Sequence, residues 1–169
     1  MIKCVLFDRD GTLGDLVEKA YPQSLVPYPH IQEVFARLKE NGYTVGVITN
    51  QSSIARGTGG GYDFDKEFAA WGANIWAICP HDTHENCNCR KPKSGLIIDV
   101  CNHLGISPTE CIMIGDRITD VECGKNVGAE AALVLTGNGM EHKEKTLAAY
   151  PDLPVFKNFE EILTYLSIH

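Results

Sequence analysis

The fold is decided by the stretch Ile2-Lys3-Cys4-Val5-Leu6-Phe7-Asp8-Arg9-Asp10-Gly11-Thr12, in which an apolar run ends abruptly at two carboxylates. The run from Ile2 to Phe7 predicts a buried strand, and Gly11 predicts a sharp turn after it. In an open α/β sheet, ligands bind at the carboxyl ends of the strands. We therefore expect Asp8 and Asp10 to face a site at that end of the sheet.

Strand-like and helix-like segments alternate along the rest of the chain. Further strands are predicted at 43–49, 73–79, 111–115 and 131–135, with a short extended piece at 155–156. Helices are predicted at 31–38, 63–71, 94–104, 119–128, 143–150 and 159–168. Repeated β-α units with short connections predict an α/β fold, one domain over residues 1–169 with a doubly wound, Rossmann-like parallel sheet. No segment between these elements is long enough to form a large cap domain.

Charge and composition narrow the range of partners. The net charge is −7, and the densest basic run is Arg90-Lys91-Pro92-Lys93, so we expect no nucleic-acid partner. No apolar stretch reaches the ~20 residues that a membrane-spanning helix needs. The first strand already carries a candidate site and is not a signal peptide. These features favour a cytoplasmic protein, a monomer or small homo-oligomer, that acts on a small molecule.

Three of the seven cysteines crowd one short segment, Cys79-Pro80-His81 followed by five residues and then Cys87-Asn88-Cys89. Three thiolates and one imidazole form the ligand set of a closed, tetrahedral Zn²⁺ site. The loop between them has no core-forming residue, so a metal would supply its order. Two alternatives stay open: redox-active cysteines, or His84 as a ligand in place of His81. Such a site fits a reducing compartment. The other cysteines lie in strand-like or helical patterns and are expected to be small buried hydrophobes: Cys4, Cys101, Cys111 and Cys123.

Three more motifs lie at predicted strand ends or beside them. Thr49-Asn50-Gln51-Ser52 closes the second strand with a hydroxyl, and Arg90-Lys91-Pro92 supplies a cation after the cysteine-rich loop. Gly115-Asp116 closes the fourth strand with a carboxylate suited to Mg²⁺. Each motif alone has an ordinary interpretation as a turn, a solvated charge or a helix cap. Their order along successive strands favours one shared site.

Together the four motifs resemble the haloacid-dehalogenase (HAD) superfamily, over about residues 2–136. The motifs are Asp-Arg-Asp-Gly-Thr, Thr-Asn-Gln-Ser, Cys-x-His-x5-Cys-x-Cys-Arg-Lys-Pro and Gly-Asp-x-x-x-Asp. They are similar to the branch that contains the D-glycero-D-manno-heptose 1,7-bisphosphate 7-phosphatases and the histidinol-phosphate phosphatases. The resemblance implies an Mg²⁺-dependent phosphatase of a small phosphorylated metabolite, with Zn²⁺ in the loop.

The resemblance also implies roles for individual residues. Asp8 is the expected nucleophile, which forms an aspartyl phosphate, and Asp10 is the expected general acid and base. Mg²⁺ is expected on Asp8, the backbone carbonyl of Asp10 and Asp116, and Lys91 and Thr49 are expected to stabilise the transferring group. No role follows for Asp120 or for residues 137–169. The expected substrate contacts are Asn50, Gln51, Ser52, Arg90 and Arg117.

The substrate is the most open question. The stretch 51–57, Gln-Ser-Ser-Ile-Ala-Arg-Gly, looks like the heptose enzymes. Arg117 looks more like the histidinol-phosphate enzymes, and Lys93-Ser94 departs from the Pro-Gly common at this place in the heptose enzymes. We favour heptose 1,7-bisphosphate, with histidinol phosphate, another sugar phosphate, a polynucleotide or a phosphoprotein as alternatives. A zinc-stabilised binding module without activity would leave Asp8 and Asp10 idle.

Overall fold

The computed structural model describes residues 1–16 and 22–168. The strands are β1 (Cys4–Phe7), β2 (Gly14–Leu16), β3 (Leu25–Pro27), β4 (Thr44–Asn50), β5 (Ile75–Cys79), β6 (Cys111–Gly115), β7 (Glu130–Val134) and β8 (Val155–Phe156). The α-helices are α1 (Ile31–Glu40), α2 (Ser52–Ala55), α3 (Phe64–Trp71), α4 (Gly95–Leu104), α5 (Ile118–Lys125), α6 (Gly139–Ala149) and α7 (Phe159–Tyr165). Short 3-10 turns lie at Thr83–Glu85 and Pro108–Glu110.

Strand β1 lies at the centre of a six-stranded sheet with the order β5-β4-β1-β6-β7-β8. Every pairing in this sheet is parallel, and all four residues of β1 are fully buried, as expected for a strand covered on both faces. The chain moves outward from β1 to β4 and β5, then returns to β6 on the other side. In doubly wound sheets, ligands bind at the position where the strand order reverses. Within the residues that the structure describes, the predicted doubly wound parallel sheet without a large cap is confirmed.

Alternate side chains of β1 enter two separate core layers. Val5 and Phe7 pack into the layer that contains α1, with Phe35 of α1 stacked on Phe7 at a centroid distance of 5.3 Å. Cys4 and Leu6 face the opposite layer, which contains the buried side of α4. The site residues that follow β1 are therefore attached to a rigid strand that is packed on both faces.

Several boundaries differ from the sequence prediction. The antiparallel hairpin of β2 and β3 was not predicted, because each strand has three residues of which only the first is buried. Helix α6 begins at Gly139 rather than 143, and this glycine lies against the Val134 carbonyl, where a Cβ would overlap it. Strands β1 and β5 each begin two residues later than predicted. The ends of α5 and α7, at Lys125 and Tyr165, come three residues earlier than predicted.

None of the helices within residues 1–16 and 22–168 is long and apolar enough to span a bilayer.

Candidate active site

A cleft of about 710 Å³ opens at the carboxyl ends of β1, β4 and β6. Thr49, Gln51 and Asp116 are fully buried and do not line it. The predicted residues therefore form two groups: one lines the cleft, and the other is packed behind it. The predicted residues that line the cleft are Asp8, Asp10, Asn50, Ser52, Arg90, Lys91 and Arg117.

Lys91 lies at the centre of the buried charges. Its Nζ donates hydrogen bonds to Asp8 Oδ1 at 2.5 Å, to Asp120 Oδ1 at 2.7 Å and to the Ile48 carbonyl at 3.1 Å. Burial alone would lower the pKa of Lys91, but the carboxylates of Asp120 and Asp8 outweigh burial and raise it above its ordinary value. Lys91 therefore stays protonated and faces the proposed nucleophile as a fixed cation.

Burial raises the pKa of Asp8 well above its ordinary value, and although Lys91 opposes this rise, the neighbouring Asp120 and Asp116 add to it. Carboxylate oxygens of Asp8, Asp116 and Asp120 lie within 4.8 Å of one another. Three carboxylates against one lysine leave an excess of negative charge in a buried place. An all-oxygen set with this excess charge fits a hard divalent cation such as Mg²⁺.

Asp120, which had no predicted role, connects Lys91 to the start of α5. Its Oδ1 accepts the bond from Lys91, and its Oδ2 accepts one from the backbone N–H of Arg117 at 3.1 Å. Its side chain therefore orients Lys91 while it caps the helix. The sequence signal was the spacing of Asp116 and Asp120, which brings both carboxylates to the end of β6.

Asp116 is held from two distant parts of the chain. Thr12 Oγ1 donates to its Oδ1 at 3.2 Å, and both the backbone N–H and the side-chain amide of Asn138 donate to its Oδ2, at 2.8 and 2.9 Å. Burial raises the pKa of Asp116, against the lowering effect of the Asn138 hydrogen bonds. Gly11 is required beside it, because its φ is +82° and a Cβ there would overlap Asp116 Oδ2. No sequence motif predicted this role of Asn138.

Asp10 lies at the edge of the cleft with a side chain that is 20 % exposed. Its Oδ1 accepts a hydrogen bond from Arg9 Nη1 at 2.7 Å, and its Oδ2 accepts one from Gln51 Nε2 at 2.9 Å. The same Gln51 nitrogen lies 2.9 Å from Thr49 Oγ1. Gln51, predicted as a substrate contact, thus lies behind the carboxylate.

The cysteine-rich loop brings four ligand atoms together. Cys79 Sγ is 3.5 Å from Cys87 Sγ, Cys87 Sγ is 3.4 Å from Cys89 Sγ, and His81 Nδ1 is 3.6 and 3.2 Å from the sulfurs of Cys79 and Cys89. A tetrahedron with Zn–S and Zn–N bonds of ~2.0–2.3 Å has ligand–ligand edges of roughly 3.5–3.8 Å, close to these separations. His84 is outside this cluster, with a side chain 82 % exposed.

One thiol of the set, Cys87, is predisposed to ionise, whereas burial raises the pKa of Cys79 and Cys89. Burial opposes ionisation of Cys87, but hydrogen bonds from the Arg90 backbone and the neighbouring cysteines lower its pKa to about 6. A thiolate is the form that binds zinc. The residues Cys79, His81, Cys87 and Cys89 therefore fit a closed structural Zn²⁺ site.

The segment after the cysteines is fastened to the end of β4. The backbone N–H of Lys91 donates to Asn50 Oδ1 at 3.0 Å, and Asn50 Nδ2 donates to the Lys91 carbonyl at 3.2 Å. Arg90 Nη1 donates to Ser52 Oγ at 2.8 Å and to the His81 carbonyl at 3.4 Å. The cysteine-rich loop and β4 thus fix the position of Lys91 together.

Comparison with known proteins gives consistent similarities. A family profile described as HAD-hydrolase-like matches residues 88–162. The D-glycero-beta-D-manno-heptose-1,7-bisphosphate 7-phosphatase of Pseudomonas aeruginosa is 35% identical over 85% of this chain and 86% of its own. The enzyme of that name from Neisseria meningitidis serogroup B is 34% identical over 88% and 83%.

Solved structures agree. The D,D-heptose 1,7-bisphosphate phosphatase of B. bronchiseptica, complexed with magnesium and phosphate, superposes with a TM-score of 0.81 at 27% identity over 98% of both chains. The phosphatase of that name from Burkholderia thailandensis gives a TM-score of 0.64 at 30% identity.

Proposed function

Because this chain belongs to the HAD phosphatases, in the branch of the heptose-bisphosphate phosphatases, we propose that it removes the 7-phosphate of D-glycero-D-manno-heptose 1,7-bisphosphate. It is a phosphoric monoester hydrolase. One observation carries the proposed mechanism: the Asp8 carboxylate at the end of β1 lines the cleft, bound to Lys91, with Asp10 lining the same cleft.

The proposed chemistry has two steps. Asp8 attacks the phosphorus atom, the bond from phosphorus to the sugar oxygen breaks, and Asp10 gives its proton to the leaving alkoxide. Asp10 then takes a proton from a water molecule, which attacks the phosphorus of the aspartyl phosphate. This step releases inorganic phosphate and restores the Asp8 carboxylate.

We assign Mg²⁺ to Asp8, Asp116 and the backbone carbonyl of Asp10. When bound, it supplies positive charge to the oxygens of the transferring phosphoryl group. Asp120 Oδ1 accepts the hydrogen bond from the Lys91 ammonium group and Asp120 Oδ2 caps the start of α5, so we assign Asp120 to the positioning of Lys91. The B. bronchiseptica phosphatase is complexed with magnesium, which supports Mg²⁺ as the cation of this site.

Zinc at Cys79, His81, Cys87 and Cys89 has a proposed structural role. Cys89 immediately precedes Arg90 and lies two residues before Lys91. A fixed Cys89 therefore fixes the start of the segment that supplies both cations to the cleft. Cysteines that bind zinc instead of forming disulfides fit a reducing compartment, and we place the enzyme in the cytoplasm.

The cleft suits a substrate with two phosphate groups. Arg90 and Arg117 line it in addition to Lys91, so an anionic group beyond the reacting phosphate meets further cations. We propose that Ser52, Arg90 and Arg117 contact the sugar or its second phosphate and that Asn50 contributes from the end of β4.

A panel of phosphorylated metabolites tests the substrate assignment. We expect kcat/KM for heptose 1,7-bisphosphate to exceed that for histidinol phosphate by at least ~10²-fold, about 2.7 kcal/mol of transition-state preference. Histidinol phosphate remains the second candidate because Arg117, the residue typical of that group, lines the cleft. A preference for histidinol phosphate would reject the heptose assignment and leave the chemistry at Asp8 intact.

A further inference from the structure

Arg9, which separates the two proposed catalytic aspartates, is fully buried. Its Nε and Nη2 donate to the two carboxylate oxygens of Glu67, at 2.6 and 2.9 Å, and its Nη1 donates to Asp10 Oδ1 at 2.7 Å. Nη2 also donates to the Pro22 carbonyl at 3.1 Å. Burying an ion pair costs desolvation energy that a hydrophobic pair would not, so stability is a weak reason for this arrangement.

Glu67 lies on α3 and is itself held by Tyr62, which precedes that helix. Tyr62 OH donates to Glu67 Oε1 at 2.7 Å. The rings of Tyr62 and Phe64 lie against the guanidinium carbon of Arg9, with centroids at 5.5 and 5.2 Å. A planar guanidinium bound in bidentate fashion and packed against two rings has a single orientation.

That orientation determines how Asp10 is held. Glu67 occupies the edge of the guanidinium formed by Nε and Nη2, and Nη1 donates to Asp10 Oδ1. Gln51 holds the other oxygen of Asp10 from the opposite side. Without Glu67, the bidentate edge of Arg9 would be free to pair with Asp10 and pull its carboxylate toward the core.

We propose that Arg9 and Glu67 form a positioning pair that orients Asp10 for proton transfer to the leaving alkoxide. The inference rests on the proposed function, in which Asp10 is the general acid. Glu67 lies 58 residues from Arg9 in sequence, so helix α3 takes part in aligning the acid although it contributes no group that reacts.

Substrates with different leaving groups distinguish a role of Arg9 and Glu67 in positioning Asp10 from a role in stabilising the fold alone. Departure of a sugar alkoxide requires the proton from Asp10, whereas 4-nitrophenolate leaves without it. Loss of folded enzyme lowers kcat/KM equally for both substrates. A misoriented Asp10 lowers kcat/KM mainly for the sugar phosphate.

The test measures kcat/KM with heptose 1,7-bisphosphate and with 4-nitrophenyl phosphate in Glu67→Gln and Arg9→Lys. We expect about a 10-fold loss with the sugar phosphate, part of the 10²–10⁴-fold that general acid–base catalysis contributes, and at most about a 2-fold loss with the aryl phosphate. Glu160→Gln is the matched control, since Glu160 pairs with Arg37 at 2.9 Å on the surface and should leave both values unchanged.

Equal losses for the two substrates, or no loss, would overturn the inference. If either variant fails to fold, Tyr62→Phe decides, because it removes only the hydrogen bond to Glu67 and should change the substrate ratio by about 3-fold in the same direction. An unchanged ratio in Tyr62→Phe then overturns the inference. Asp10→Asn is the reference: if it leaves the ratio unchanged, the assignment of the acid fails, and the inference fails with it.

Discussion

Replacing Lys91 by methionine would leave the carboxylates of Asp8 and Asp120 buried without the ammonium group that binds both of them. The exposed fractions are 7 % for Asp8 and 2 % for Asp120, so water cannot replace that group. Removing one partner of a buried ion pair costs about 3–5 kcal/mol. We expect a loss of folding free energy in this range and the loss of nearly all phosphatase activity.

Urea unfolding in the presence of EDTA measures the change. With a slope of ~2–3 kcal/mol per molar urea for a domain of this size, the midpoint should fall by roughly 1–2.5 M. Mg²⁺ should restore part of the loss, because a bound cation neutralises some of the same carboxylate charge.

The matched control is Lys3→Met. Lys3 also pairs with a carboxylate, that of Glu110 at 2.6 Å, but its side chain is 59 % exposed. An exposed pair contributes little, so the control should unfold close to the wild-type midpoint. Equal shifts in the two variants would refute the reasoning about buried charge.

Three further predictions concern the acid, the zinc loop and the turn after β1. Asp10→Asn should lower kcat/KM for a sugar phosphate by about 10²–10⁴-fold and much less for an aryl phosphate, and equal losses would contradict the acid role. Elemental analysis should find about one Zn²⁺ per chain, and Cys87→Ser should lower both activity and melting temperature; full activity after complete zinc removal would argue against a structural metal. Gly11→Ala should cost more than ~1 kcal/mol of folding free energy and raise the Mg²⁺ concentration required for activity, because the new Cβ overlaps Asp116. Gly42→Ala has the same positive φ with open space around it, so its cost should be smaller and its Mg²⁺ requirement unchanged.

The parts of the fold that could be predicted are those encoded by local patterns. The apolar run of β1 and the helical spacing of α1 each determine an element from its own residues, and the repeated β-α order then determines a parallel sheet. The hairpin of β2 and β3 could not be found this way. Its strands have three residues each, too few for an alternating pattern to appear.

The residues of the candidate site also divide into those that a local motif predicts and those that it does not. Motifs predict the aspartates beside β1 and β6 and the cysteine cluster. The structure brings the aspartates together in one cluster and the cysteines with His81 in another. The contacts that hold them in place do not follow from motifs, because they join distant segments: Asn138 reaches Asp116 across 22 residues, and Glu67 reaches Arg9 across 58. Nothing in the local sequence of Asn138 or Glu67 indicates a partner so far away.

Trapping the phosphoenzyme tests the central claim most directly. The enzyme is mixed with substrate labelled with ³²P at the 7-phosphate, quenched in acid within one turnover, and digested for peptide mapping. The account predicts an acid-stable, hydroxylamine-sensitive label on the peptide that contains Asp8, and no label in Asp8→Asn. Label on another residue, or full turnover in Asp8→Asn, would contradict it.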